Sequence, residues 1–199
     1  MIRRSFLKAI GVLALSFAPI TATAQDVDPE NVLVIDIAGE ANGTVEILLR
    51  PDVAPLHAAR LKELARAGAY DGVAFHRVIE GFMAQTGDVE YGRSEGYDYR
   101  LAGRGASELD DVPAEFSSLA FEEGVVGMAR SQDPNSANSQ FFIMFVRYPS
   151  LDGAYTVVGK VISGLDVVNA IKRGDGAANG SVFQDPDFMA RVRVKADID

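Results

Sequence analysis

Residues 31–38 alternate, with Leu33, Ile35 and Ile37 on one side of an extended chain and Val32, Val34 and Asp36 on the other. That two-residue period predicts a strand. Residues 44–50 form a second apolar, β-branched run, and the Asn42-Gly43 pair between the two runs is a strong hairpin signal. At residue 55 the period changes. Ala58, Leu61, Leu64 and Ala65 recur at three- and four-residue spacing, Pro55 suits a first helical position and Gly68 lies just past the end. A helix is predicted over 55–67. A second is predicted over 164–173, where Leu165, Val168 and Ile171 share a face, Ser163 and Asp166 have capping-box spacing and Gly174 stops the run.

Further short strands are predicted over 73–79, 82–85, 125–129, 140–145 and 156–161. Residues 191–196 alternate charged and apolar, which predicts a half-buried closing strand. Adjacent Phe141 and Phe142 must point to opposite faces of their strand, so one belongs to the core. Many short strands with two helices describe a mainly β protein, an antiparallel barrel or sandwich. Residues 88–114 follow no period, with Gly92, Gly96, Gly103 and Gly105 among mixed charges. A loop of that length inside a compact domain is functional or mobile.

The first residues follow a different logic. Arg3, Arg4 and Lys8 make a positive segment, residues 9–18 are an apolar run, and Ala22-Thr23-Ala24 is a small-x-small cleavage site. Together they predict an export signal over 1–24, cleaved before Gln25. The apolar run is too short to anchor in a bilayer. The stretch from Arg3 to Lys8 also resembles a twin-arginine signal, and either that or the general route leads out of the cytoplasm, to the periplasm. Behind such a signal, Asn42-Gly43-Thr44 reads as a turn and not as a glycosylation site. Residues 25–199 then form one domain, with a polar lead-in over 25–30 expected to be disordered.

Cleavage would remove Arg3, Arg4 and Lys8 and no acid, taking the formal charge from −9 to −12. A chain this acidic, with no Lys/Arg cluster, is not expected to bind nucleic acid or, once the signal is gone, a membrane. The absence of cysteine excludes disulfides, thiolate nucleophiles and Cys-based metal sites. Only His57 and His76 could act as imidazole ligands, and they fall on different predicted elements. His57 is expected to be solvated on the first helix, and His76 to be a hydrogen-bonded structural residue. Glu108, Asp110, Asp111 and Glu115 lack the spacing of a calcium loop and read as a solvated acidic stretch. Gly103-Arg104-Gly105 lacks the third glycine of a dinucleotide fingerprint, since Glu108 stands there. Neither a metal nor a cofactor is expected.

What remains is FHRVIEGFMAQTGD (residues 75–88), with Arg77 among apolar and aromatic groups, and GMARSQDPNSANSQFFIMF (residues 127–145). On residue chemistry alone these give an apolar pocket with a cation beside it, although Arg77 could equally be a surface strand residue. The first block resembles the F-H-R-x-I-x-x-F-M-x-Q-x-G-D block of the cyclophilin family. PAEFS (residues 113–117), GMAR, SQFFI (residues 139–143) and LDGAYTVVGKV (residues 151–161) follow in the family's order, and the resemblance runs over about 32–196.

The resemblance implies a closed eight-stranded antiparallel β-barrel capped by two α-helices, and a monomeric peptidyl-prolyl cis-trans isomerase acting on proline-containing peptides and folding proteins. By motif position it implies Arg77 as the catalytic arginine. Gln85 and Gln140 would orient it and the substrate backbone, and Phe82, Met83, Phe142 and Leu151 would form the proline pocket. Ala129 and the Arg130 main chain would line the peptide groove, and Tyr155 would pack beside the proline ring. Three positions depart from the family pattern. Ser150 stands where many members carry an aromatic residue that contacts cyclosporin, so tight drug binding is not implied. Arg130 replaces a common Asn, and Val158 replaces a usual Phe. A module that only binds proline segments would need the pocket alone, whereas Arg77 with Gln85 and Gln140 points to an enzyme.

Overall fold

The computed structural model describes residues 27–198, so the expected export signal lies outside the described residues. Strands β1 (Val32–Ala38) and β2 (Gly43–Leu49) form an antiparallel hairpin with Ile37 opposite Gly43. The alternation holds, because Leu33, Ile35 and Ile37 are buried and Val34 and Asp36 are not fully so. The turn differs from expectation. Gly43 already belongs to β2, and the bend is made over residues 39–42 with Gly39 at a φ of 137°. A Cβ on Gly39 would fall 2.0 Å from the Asp187 carboxylate, so backbone and buried acid approach there as only glycine permits.

Helix α1 (Pro55–Arg66) turns the stripe Ala58, Leu61, Leu64 and Ala65 inward, and Gly68 stops it in the left-handed region at a φ of 66°. Helix α2 is shorter than predicted, spanning Leu165–Ala170. Its N-cap is Gly164 at a φ of 80° with no side-chain cap, so the expected Ser163/Asp166 capping box does not form. A Cβ on Gly164 would lie 2.3 Å from the Thr44 carbonyl, and this close approach to β2 decides the entry of the helix. Val168 and Ile171 are buried as the pattern required.

The remaining strands are β3 (Val73–Ala74), β4 (Arg77–Ile79), β5 (Met83–Thr86), β6 (Val125–Met128), β7 (Phe141–Met144), β8 (Val157–Ser163) and β9 (Phe188–Val194). All join one antiparallel sheet in the order β3-β9-β1-β2-β8-β6-β7-β5-β4. The sheet therefore has nine strands where a closed barrel of eight was expected. The extra strand arises because the predicted strand over 73–79 breaks at Phe75 and His76. Its halves, β3 and β4, become the two edges of a sheet that curls round.

The inner face of the sheet, α1 and Val168 of α2 share one large apolar cluster that includes Phe75, Met128 and Phe141. A second, smaller cluster lies apart and contains Met83, Phe121, Phe142, Met144 and Leu151. Phe141 and Phe142 thus divide between two cores, as opposite faces of one strand require. The lead-in is not disordered where it is described. Pro29–Asn31 forms a 3-10 turn capped by Asp28, and Glu30 pairs with Lys62 and Arg66 of α1 at 3.0 and 2.7 Å.

Candidate active site

Arg77 opens β4 directly opposite Gln85 of β5, so the two side chains project from one face as a cross-strand pair. The guanidinium is held on both sides. Its Nη1 donates to Gln85 Oε1 at 3.1 Å, its Nε to the Asn179 carbonyl at 3.1 Å and its Nη2 to Asn179 Oδ1 at 3.0 Å. An arginine carries five N–H groups, so one on each terminal nitrogen is still free. All three partners are neutral acceptors, and no carboxylate lies within 4.0 Å of Arg77 among the described residues. Burial pulls the Arg77 pKa below the ordinary guanidinium value, but arginine stays protonated in proteins, so an unneutralised cation faces the site.

Gln85 is fixed in turn by Gln140. Gln85 Nε2 donates to Gln140 Oε1 at 2.9 Å, and Gln140 Nε2 donates to the carbonyls of Gly103 and Gly105 at 3.1 and 2.9 Å. Two backbone carbonyls can only accept, so each amide in the chain has one possible orientation, and it ends with an oxygen presented to Arg77. The Gly103 and Gly105 segment is itself anchored. Their N–H groups donate to Asp88 Oδ2 at 2.7 and 3.0 Å, and Glu90 and Tyr91 N–H donate to Asp88 Oδ1. Asp88 is wholly buried, and the loop over 88–114 is organised around it.

Arg77 shares a cavity of about 170 Å³ with Phe82, Met83, Phe142, Leu151 and Tyr155. Met83, Phe142 and Leu151 are buried members of the second core, whereas Phe82 and Tyr155 are half-exposed at its rim. Phe142 stacks on Phe121 at 5.8 Å and meets Tyr155 edge-on at 6.0 Å. Gly127 makes room for that stack, since a Cβ there would lie 2.5 Å from Phe142 and 2.6 Å from Phe121. Tyr148 lies 4.4 Å from Phe82 between ring centroids and supports its outer face. The cavity is concave, with aromatic and aliphatic side chains on one side and Arg77, Gln85 and Arg130 on the other.

A second cavity of about 390 Å³ adjoins the first and shares Gln85, Ala129 and Arg130 with it. Ala129 N–H pairs with the Gln140 carbonyl at 2.9 Å. The Arg130 guanidinium stacks 4.4 Å over the Tyr155 ring and donates to the Ala154 carbonyl at 3.0 Å. The side chain of Arg130, and not only its main chain, therefore forms the ridge between the two cavities. All ten residues that the motifs singled out lie around these cavities.

Asn179 and Asp88 were not singled out. Asn179 sits in the left-handed region at a φ of 54°, at the end of the 3-10 turn Gly176–Ala178, where Asn is one of the few side chains tolerated. That preference is the only trace it leaves in sequence. The histidines differ from expectation. His57 is not solvated but fully buried, with its Nδ1 2.6 Å from Glu115. His76 is buried as expected, yet neither ring nitrogen finds a hydrogen-bond partner among the described residues. Glu115, read as part of an acidic surface stretch, instead accepts from the N–H groups of Leu56 and His57 at the start of α1. No cluster of metal-ligating side chains is present among the described residues.

A family model for "Cyclophilin type peptidyl-prolyl cis-trans isomerase/CLD" matches residues 34–194. The chain is 53% identical to the "Probable peptidyl-prolyl cis-trans isomerase" of Brucella suis, over 98% of this chain and 97% of that protein. Among solved structures it resembles cyclophilin AquaCyp293 from Hirschia baltica, with a TM-score of 0.72 and 27% identity over 87% of this chain and 77% of that one. It also shares its fold with a Cryptosporidium parvum cyclophilin-type isomerase determined in the presence of the dipeptide Ala-Pro, with a TM-score of 0.67 and 24% identity over 82% of this chain and 98% of that one.

Proposed function

This chain belongs to the cyclophilin-type peptidyl-prolyl cis-trans isomerase family and is an isomerase of X-Pro bonds, and we propose that its turnover rests on Arg77 acting over the 170 Å³ cavity. An amide resists rotation by about 18–20 kcal/mol because the nitrogen lone pair is delocalised. Rotation breaks no covalent bond, so neither nucleophile nor general base is needed. The site must instead favour the twisted amide over both planar forms. Phe82, Met83, Phe142 and Leu151 hold the proline ring in an apolar notch with Tyr155 at its side. Gln85, Gln140, Ala129 and the Arg130 backbone hold the flanking peptide.

Arg77 then donates a free Nη N–H to the prolyl nitrogen, whose lone pair becomes available only as conjugation is lost. A hydrogen bond made mainly in the twisted state lowers the barrier without tightening ground-state binding. Such a charge-assisted bond contributes on the order of 1.5–3 kcal/mol, so exclusion of water and fixed orientation supply the remainder. The observation that carries this reading is a guanidinium with three neutral acceptors behind it and two N–H groups unspent. The substrates are proline-containing segments of peptides and of proteins still folding, on which the enzyme acts as a monomer.

The test is Arg77→Ala in an X-Pro isomerisation assay, with peptide affinity measured separately. Turnover is expected to fall by about tenfold to a hundredfold, as removal of one such bond implies, while affinity changes far less. Equal losses in the two would remove Arg77 from the chemical step. The place of action is proposed to be the periplasm. Arg3, Arg4 and Lys8, the apolar run over 9–18 and Ala22-Thr23-Ala24 support it. Mass spectrometry of the protein recovered from the envelope should then find a chain beginning at Gln25.

A further inference from the structure

Among the described residues most of the positive charge is spent on carboxylates. Among the described residues every Lys and Arg sits within 4.0 Å of an acid except Arg77, Arg93, Arg104, Arg130 and Lys160. Three of those five, Arg77, Arg104 and Arg130, line the two adjoining cavities. The chain as a whole carries a formal charge of −9, so the groove is a cationic strip on an acidic body. Arg104 is exposed at the rim of the 390 Å³ cavity, and its guanidinium makes no hydrogen bond or ion pair with the described residues. It stands between Gly103 and Gly105, whose backbones are tied to Asp88 and Gln140, so its Cα is fixed while its charge is free. Arg130 borders the same cavity from the opposite ridge, locked over Tyr155.

One acid also faces this space. Asp111 lines the cavity, but it already accepts from Asn138 Nδ2 at 3.0 Å. The Asp111 partner is a neutral amide, Asp88 lies buried behind Gly103 and Gly105, and Arg130 already donates to the Ser131, Gln132 and Ala154 carbonyls. The uncommitted charge at this cavity is therefore the Arg104 guanidinium, free to meet an anion of side-chain size. We propose that the 390 Å³ cavity receives an acidic side chain near the substrate proline, making this a selective isomerase for X-Pro segments that carry an Asp or Glu close to the proline. This rests on the proposal that the neighbouring cavity holds the proline. Arg104 is the specificity-determining residue and Arg130 its partner. The long-range field of an acidic protein would repel such a segment, so the groove must supply its own attraction at contact distance.

The experiment compares three peptide series around one X-Pro bond, with a Glu, a Gln or a Lys moved through the three positions on either side of the proline. Acceleration of the Gln peptides tests isomerisation itself, and its absence would remove the reading on which this inference rests. Given that acceleration, at least one position should show kcat/KM for Glu roughly fivefold above that for Lys, with Gln between, the range expected of one or two exposed charge pairs. Raising salt from about 0.02 to 0.5 M should compress the ratio as the Debye length shrinks. Arg104→Gln should lower the rate with the Glu peptide and raise it with the Lys peptide, a crossing that mere damage to the fold cannot produce. A flat series, a preference for Lys, or a parallel fall of both peptides in the variant overturns the proposal while leaving the isomerase intact.

Discussion

Gln85 is the residue through which the rest of the site controls the guanidinium. It turns an acceptor to Arg77 and a donor to Gln140, and no rotation of its amide would satisfy both differently. Gln85→Leu keeps the size of the side chain but strands Nη1 of Arg77 and Oε1 of Gln140. Leaving such groups unpaired costs on the order of 1–3 kcal/mol, which corresponds to about tenfold in turnover if it is felt at the transition state. Gln85→Glu should do no better, because a carboxylate would neutralise the cation and oppose Gln140 Oε1. Steady-state kinetics on both variants decides the matter, and a Glu variant with full activity would show that orientation alone is needed and charge is not. Arg77 and Gln85 were legible together, being eight positions apart in one motif block and opposite one another across a hairpin. Asn179 was not, because its role depends on a left-handed turn brought in from 102 residues away. Such a contact leaves no periodicity in either segment.

At the scale of elements, α1 was legible in its stripe and its stop but not in what holds its start. Ala54 stands at the N-cap and offers no side-chain hydrogen bond. Glu115 supplies one from a distant loop, accepting from Leu56 N–H at 3.1 Å and His57 N–H at 3.0 Å, with His57 Nδ1 at 2.6 Å. A carboxylate at a helix N-terminus satisfies orphan donors and meets the positive end of the helix dipole. Glu115→Ala should therefore destabilise the protein by about 2–3 kcal/mol, a lost cap plus an unpaired buried imidazole. Urea denaturation measures this, and kcat/KM of the folded fraction should hold within about twofold, since Glu115 does not touch the groove. A midpoint unchanged by the substitution would mean that water caps the helix equally well. The burial of His57 has the same cause. Helical spacing places it beside the apolar stripe, and only the loop carrying Glu115 closes over it. The broken strand over 73–79 follows similar logic, since Phe75 and His76 are apolar enough to continue the period but serve two different edges of the sheet.

At the scale of the whole molecule, alternation predicted the strands but not their order, because pairing β9 between β3 and β1 depends on register between distant segments. Folding also buries two imidazoles that the strand and helix patterns could not rank. Burial pushes the His76 pKa down to about 4, with Asp88 opposing the shift only in part. Burial lowers that of His57 as well, against the pull of Glu115. Both rings are near 6.5 once the chain unfolds. Between pH 6.5 and 4 the unfolded chain therefore binds more protons than the folded one, so stability rises with pH across this window and falls on acidification. At about 1.4 kcal/mol per pKa unit, His76 alone implies a loss on the order of 3 kcal/mol by pH 4. Carboxylates such as Glu30, held near 2 by Arg66 and Lys62, add their own loss only below their unfolded value of 4.5. The decline should thus begin at a higher pH than the loss of Glu30's contribution. Denaturant midpoints for the wild type should drop clearly from pH 7.5 to 5.0, and His76→Gln should show a shallower slope over that interval whatever its stability at pH 7.5. Equal slopes would mean that His76 gains its proton in the folded state, with Asp88 close enough to hold it there.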